Sequence, residues 1–169
     1  MSEQQAGAER DVLLAYLNSQ RRHVIGILDG LSEEDLRRPI LPTGWSCLGL
    51  VHHLALDDER FWFRAVVAGE QPVIDSLAGT GNAWQAPADM SAQDVFDLYR
   101  AEIERSNAVI AATPLDAPPA WWPDFFGTFR LDNLRDVILH VIEETACHAG
   151  HADVVRELID GRTWMVLEM

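Results

Sequence analysis

The chain has 169 residues, enough for one domain with a sizeable core. Its formal charge of −14 argues against nucleic acid, whose phosphates need basic partners, and equally against an anionic membrane surface. The start "MSEQQAGAER" has no basic region followed by an apolar run, and no apolar stretch approaches the ~20 residues that span a bilayer. Cys47 and Cys147 form no CxxC pair, so neither a disulfide framework nor a cysteine zinc site is expected, and a reduced, cytoplasmic protein follows. Much of the acid excess is expected to lie on solvated helix faces.

In chain order, "ERDVLLAYLNSQRRHVIGILDGL" carries a broad helical stripe of apolar residues and ends at Gly30. "SEEDL" starts a further turn with Ser32 as its N-cap. A second helix runs from Ser46 or Cys47 through "LGLVHHLALDDERFWFRAVVAG" to Gly69. "EQPVIDSLAGTGNAWQAPADM" reads as a loop, longer than the ~12–15 residues beyond which loops are often functional. Ser91 caps the third helix, "SAQDVFDLYRAEIERSNAVIAAT". A second long connection, "PLDAPPAWWPDFFGTFRLDN", holds four prolines and the aromatics Trp121, Trp122, Phe125, Phe126 and Phe129. The last helix is expected over residues 131–159, with Gly161 as its stop. Four long helices with two long connections and no strand alternation predict an all-α four-helix bundle, a fold that builds metal and ligand sites from facing helices.

The last helix holds an unusual line. With His140 as zero, Glu144 lies at roughly 40°, His151 at roughly 20° and His148 at roughly 80°. Glu144 and His148 are about 6 Å apart along the axis, within the span of one ion, whereas His140 and His148 are about 12 Å apart. The i,i+4 pair needs a third ligand from another helix, and His23, His52 and His53 are the other histidines. His52 and His53 point about 100° apart, and helical phase leaves open which faces the interior. Two histidines and a carboxylate with open positions suit a catalytic metal, while the alternative is a wet surface stripe.

"TGWSCLGLVHHLALDDERFWF" and "FRLDNLRDVILHVIEETACHAGHADVVRELIDG" resemble the DinB-like superfamily, in particular the branch with mycothiol-dependent maleylpyruvate isomerase. The resemblance covers nearly the whole chain, residues 1–169, as a DinB-like four-helix bundle. It implies a divalent metal, zinc or nickel, on His53, Glu144 and His148; His53 is chosen over His52 because Leu54 follows it. The order Phe61-Trp62 departs from the usual Trp-Phe. The resemblance further implies a homodimer and a thiol-dependent S-transferase or isomerase. In such a protein the metal activates a low-molecular-weight thiol, mycothiol or bacillithiol, against a small-molecule electrophile. A metal-dependent hydrolase and a non-catalytic metal or small-ligand-binding stress protein are the alternatives.

Around this set, His151 is either a proton carrier or supporting group near the metal, or a partly exposed histidine that caps the stripe, and His140 is either a partner of Glu144 or a structural histidine. Asp57 or Asp58 would accept the second ring N–H of a ligand histidine, or be solvated. Arg130 is a candidate for binding an anionic substrate or thiol carboxylate, as is Arg135. Cys47 and Cys147 are expected to be small buried residues. The aromatics at 121–129 are expected to line the mouth of the cavity, form a lid, make a dimer contact or pack over one end of the bundle.

Overall fold

The structure, a computed structural model, describes residues 3–79 and 81–165, so residues 1, 2, 80 and 166–169 of the expected single domain lie outside the described residues. Every regular element among the described residues is helical, and none is long and apolar enough to cross a membrane. Helix α1 (Glu3–Leu28) starts earlier than its apolar stripe suggests. Ser32 caps the short α2 (Glu33–Arg37) by accepting from the Asp35 N–H. Ser46 caps α3 (Cys47–His53) by accepting from the Gly49 N–H at 3.1 Å. The rod then continues as a π-helix, Leu54–Val67, in which N–H groups reach back five residues; the Ala68 N–H bonds the Phe63 carbonyl at 2.9 Å.

The first long connection is not pure loop. Gln71–Ser76 forms helix α4, begun by Pro72 in its first turn, and a 3₁₀ turn spans Leu77–Gly79. Helix α5 (Ala92–Ala112) opens with a complete capping box between Ser91 and Asp94. Helix α6 (Leu134–Asp160) starts slightly later than expected, because the Asn133 side chain accepts from the Asp136 N–H and serves as its N-cap. Gly161, at φ 76°, ends it in the left-handed conformation.

Side-chain contacts fix the helix directions. Arg135 pairs with Glu9, and Arg156 Nη1 donates to the Ile27 carbonyl at 2.6 Å, so α1 and α6 run the same way. His53 meets His148 and Trp62 meets His140, so the α3–π rod runs opposite to α6. Ser106 Oγ donates to the Glu59 carbonyl, while Ala55 shares one core cluster with Tyr99 and Phe63 another with Ile110. The α3–π rod and α5 are therefore parallel. Two consecutive parallel helices need a long crossover, and residues 68–91 supply it by running back along the bundle.

The core divides into two apolar clusters. One surrounds Val24, Leu28, Leu50, Leu54 and Tyr99; the other surrounds Leu17, Phe63, Ile110, Val137 and Val141. Between them in chain order on both α1 and the π-helix lies a buried ion pair, Arg21 with Glu59. Glu102 (with Arg64 and Arg105) and Asp153 are also buried. These acids do not lie on solvated faces, and each carboxylate meets a guanidinium or backbone N–H donor that offsets its loss of water.

Candidate functional site

The two neighbouring histidines diverge as their phase requires. His52 is buried and its Nδ1 lies 2.7 Å from the Ala83 carbonyl oxygen, so it ties the crossover to α3. His53 turns toward α6, where its ring meets His148 edge to face at a centroid separation of 5.2 Å. Asp57, half-exposed, contacts His53 Nδ1 through Oδ2 at 2.8 Å, which leaves Nε2 of that ring as the free nitrogen. On α6, Glu144 Oε2 stands 3.7 Å from His148 Nε2, and His148 Nδ1 is buried with no hydrogen-bond partner. His53, Glu144 and His148 therefore share one place, at the boundary of the α3–π rod and α6.

Burial, reinforced by His53 and His151, pushes the His148 imidazole down to about 4, so it stays neutral at physiological pH, the form that binds metal. The unfolded chain takes up this proton near 6.5 and the fold only near 4, so stability is full above about pH 6.5 and is lost as pH falls toward 4. In chelator-stripped protein, the urea midpoint is expected to drop between pH 7 and 5, and less steeply in His148→Gln; parallel pH curves would refute the assignment.

A cavity of about 390 Å³ opens beside these residues. His53, Asp57, Asp58 and Glu144 supply its polar lining, and Phe61, Trp62, Leu77, Phe125, Phe126 and His140 the rest. The aromatic connection thus lines the cavity: the Trp62 and Phe126 rings stack 5.5 Å apart at 4°, and Phe125 lies 6.2 Å from Phe61. It is tied to the π-helix end by the Trp121 N–H donating to the Val66 carbonyl at 3.1 Å. His140 packs edge-on against Trp62 at 4.6 Å, and its own burial lowers its pKa, so it serves as part of the wall.

Two site residues carried no distinct signal in the sequence. Trp84, in the crossover, stacks on His53 at 4.1 Å and 18° and meets His148 at 5.2 Å. Asp58, paired in the sequence with Asp57, is buried rather than solvated. Its Oδ2 has no partner, and burial with Glu144, Glu59 and Asp57 nearby pushes its carboxyl well above the usual carboxylate range.

The expectation for Cys147 changes. Cys147 is exposed, not a buried apolar residue, because it lies on the outward side of α6, with Sγ 3.9 Å from His151 Nδ1. His151 is also exposed and does not line the cavity, although its ring is 5.7 Å from that of His148. Arg130 lies over the Trp122 ring at 4.9 Å, outside the cavity lining, and Arg135 is engaged by Glu9.

Two imidazoles and a carboxylate are a donor set that suits a divalent ion, and on α6 it is His148 Nε2 that faces the Glu144 carboxylate. Among the described residues, no three His, Cys, Asp or Glu side chains converge tightly enough to form a ready-made metal cage.

Fold and site together define an all-helical protein with a histidine–carboxylate cluster beside an aromatic cavity. The model of the mycothiol-S-transferase family matches residues 12–161, and the chain belongs to that family, a DinB-like branch. Among curated proteins and among solved structures, nothing matches it significantly.

Proposed function

We propose that the protein is a single-domain four-helix bundle of the DinB-like type that joins the sulfur of mycothiol to a small electrophile. The observation that carries this reading is the meeting of His53 and His148, 5.2 Å apart, with Glu144 beside an aromatic cavity. His53, Glu144 and His148 would hold a divalent ion, zinc or nickel, which would supply the positive charge that lowers a thiol's pKa. Asp57 orients His53 through Nδ1 and leaves Nε2 for the ion. Phe61, Trp62 and Phe126 exclude water and receive the apolar part of the electrophile. In the transfer the S–H bond breaks, an S–C bond forms, and the electrophile's leaving group departs with its electron pair. The proton passes to water or to His151, exposed beyond His148. An isomerase would use the same S–C bond and later release the sulfur.

The thiol is expected to be neutral. Among the described residues no arginine lines the cavity, and the chain contains no lysine, so no basic side chain there pairs with the carboxylates of glutathione or bacillithiol, whereas mycothiol carries none. The family match favours sulfur transfer over hydrolysis. We also assign the protein to the cytoplasm, as a homodimer. Calorimetric titration of the metal-loaded protein tests the thiol: mycothiol is expected to bind at least about tenfold tighter than glutathione, a difference of roughly 1.4 kcal/mol. Equal affinity, or no binding of either thiol, would sink the reading.

A further inference from the structure

We propose that the groove between residues 43–45 and the crossover at 82–85 is the subsite for the polyhydroxylated, sugar-type end of the thiol; this deepens the transferase reading and rests on it. The groove holds about 270 Å³ and is lined by Thr43, Gly44, Trp45, Asn82, Trp84 and Gln85. It shares one wall with the histidine site. The Trp84 indole stacks on His53 at 4.1 Å and stands 6.3 Å from Trp45, tilted by 59°. A molecule with its sulfur at His53 and its bulk draped past one indole would reach both places.

The lining matches that chemistry. Sugar and polyol rings have apolar C–H faces and a rim of hydroxyls, so they suit aromatic surfaces flanked by a few uncharged hydrogen-bonding groups. Two tilted indoles provide the surfaces. Asn82, Gln85 and Thr43 provide the polar groups. Among the described residues no charged side chain lines the groove, which selects a neutral polyol over an anionic one.

The groove is also held in place. His52 Nδ1 anchors the Ala83 carbonyl, the Trp84 N–H donates to Asn82 Oδ1 at 3.1 Å, and the Gln85 N–H donates to the Asn82 carbonyl at 2.9 Å. Gly49 of α3 lets the crossover approach: a Cβ there would lie 2.1 Å from the Trp84 carbonyl oxygen. Because this contact is with backbone, a side chain at 49 must displace Trp84 itself.

The test uses the thiol-free glucosaminyl-inositol part of mycothiol as probe, followed by tryptophan fluorescence on the full chain. Saturable quenching is expected for the wild type, with none in Trp45→Ala and about tenfold weaker binding in Gln85→Ala. Gly49→Ala, which alters no lining residue and favours helix, is expected to lose the response while its unfolding midpoint stays high. No response in the wild type, or equal responses in all four proteins, would overturn the subsite. Titration with N-acetylcysteine methylamide, a neutral thiol, separates the two readings: its binding without the disaccharide response sinks only the subsite, and the disaccharide response without it sinks only the thiol reading.

Discussion

Arg21→Met is expected to destabilise the fold by about 3–5 kcal/mol, a large share of the ~5–15 kcal/mol that holds a typical domain together. The side chain is 2% exposed and Glu59 is fully enclosed. The pair is bidentate, with Nε to Oε1 at 2.7 Å and Nη2 to Oε2 at 2.6 Å, while Nη1 donates to Asn18 and Asn107, both at 2.8 Å. Removing the guanidinium leaves a carboxylate in the core with neither water nor counter-charge, and that desolvation is the main cost. The pair itself is worth little compared with apolar packing, so Arg21→Met with Glu59→Leu is expected to recover most of the loss. Urea unfolding of wild type, single and double variants decides it. A single-variant cost under about 1 kcal/mol, or a double variant no more stable than the single, would contradict this account.

The second large effect concerns the site. His53→Ala and His148→Ala are each expected to weaken divalent-metal binding by more than about 100-fold, since loss of a mere supporting partner already costs about 10–100-fold. Asp57→Ala, which frees His53 Nδ1, is expected to fall within that smaller range. His23→Ala is the control: that ring accepts from Trp164 Nε1 at 2.8 Å, on α1 and away from the cavity, and metal binding should persist. Metal analysis of untagged protein, with cobalt absorption to report ligand geometry, reads all four. Stoichiometric metal retained by the His53 and His148 double variant would remove the triad, and with it the metal-dependent transferase.

How much of this was legible differs from element to element. Helix ends were readable where a side chain closes the terminal N–H groups, as at Ser32, Ser46 and Ser91, or where glycine takes positive φ, as at Gly161. The reading failed at Gln71–Ser76, a helix too short to show a period inside a connection rich in glycine and proline. It also failed for Asp58. Beyond His53 the chain winds as a π-helix, so a phase of about 100° per residue no longer says which face a residue occupies. Asp57 and Asp58 look equivalent as letters, yet one is half-exposed against His53 and the other is buried without a partner.

By itself the sequence determined an all-helical chain, the helix ends marked by Ser32, Ser46, Ser91 and Gly161, the i,i+4 pairing of Glu144 with His148 and, through its motifs, the family, because these depend on local spacing and on residue types. The resemblance, through Leu54, favoured His53 over His52 where helical phase could not; tertiary structure alone decided that Phe125 and Phe126 line the cavity and that Trp84 closes over the histidines. Each of those depends on which segments meet across the bundle. The parallel course of the α3–π rod and α5 forces the crossover back along the bundle, and Gly49 and His52 determine where it docks.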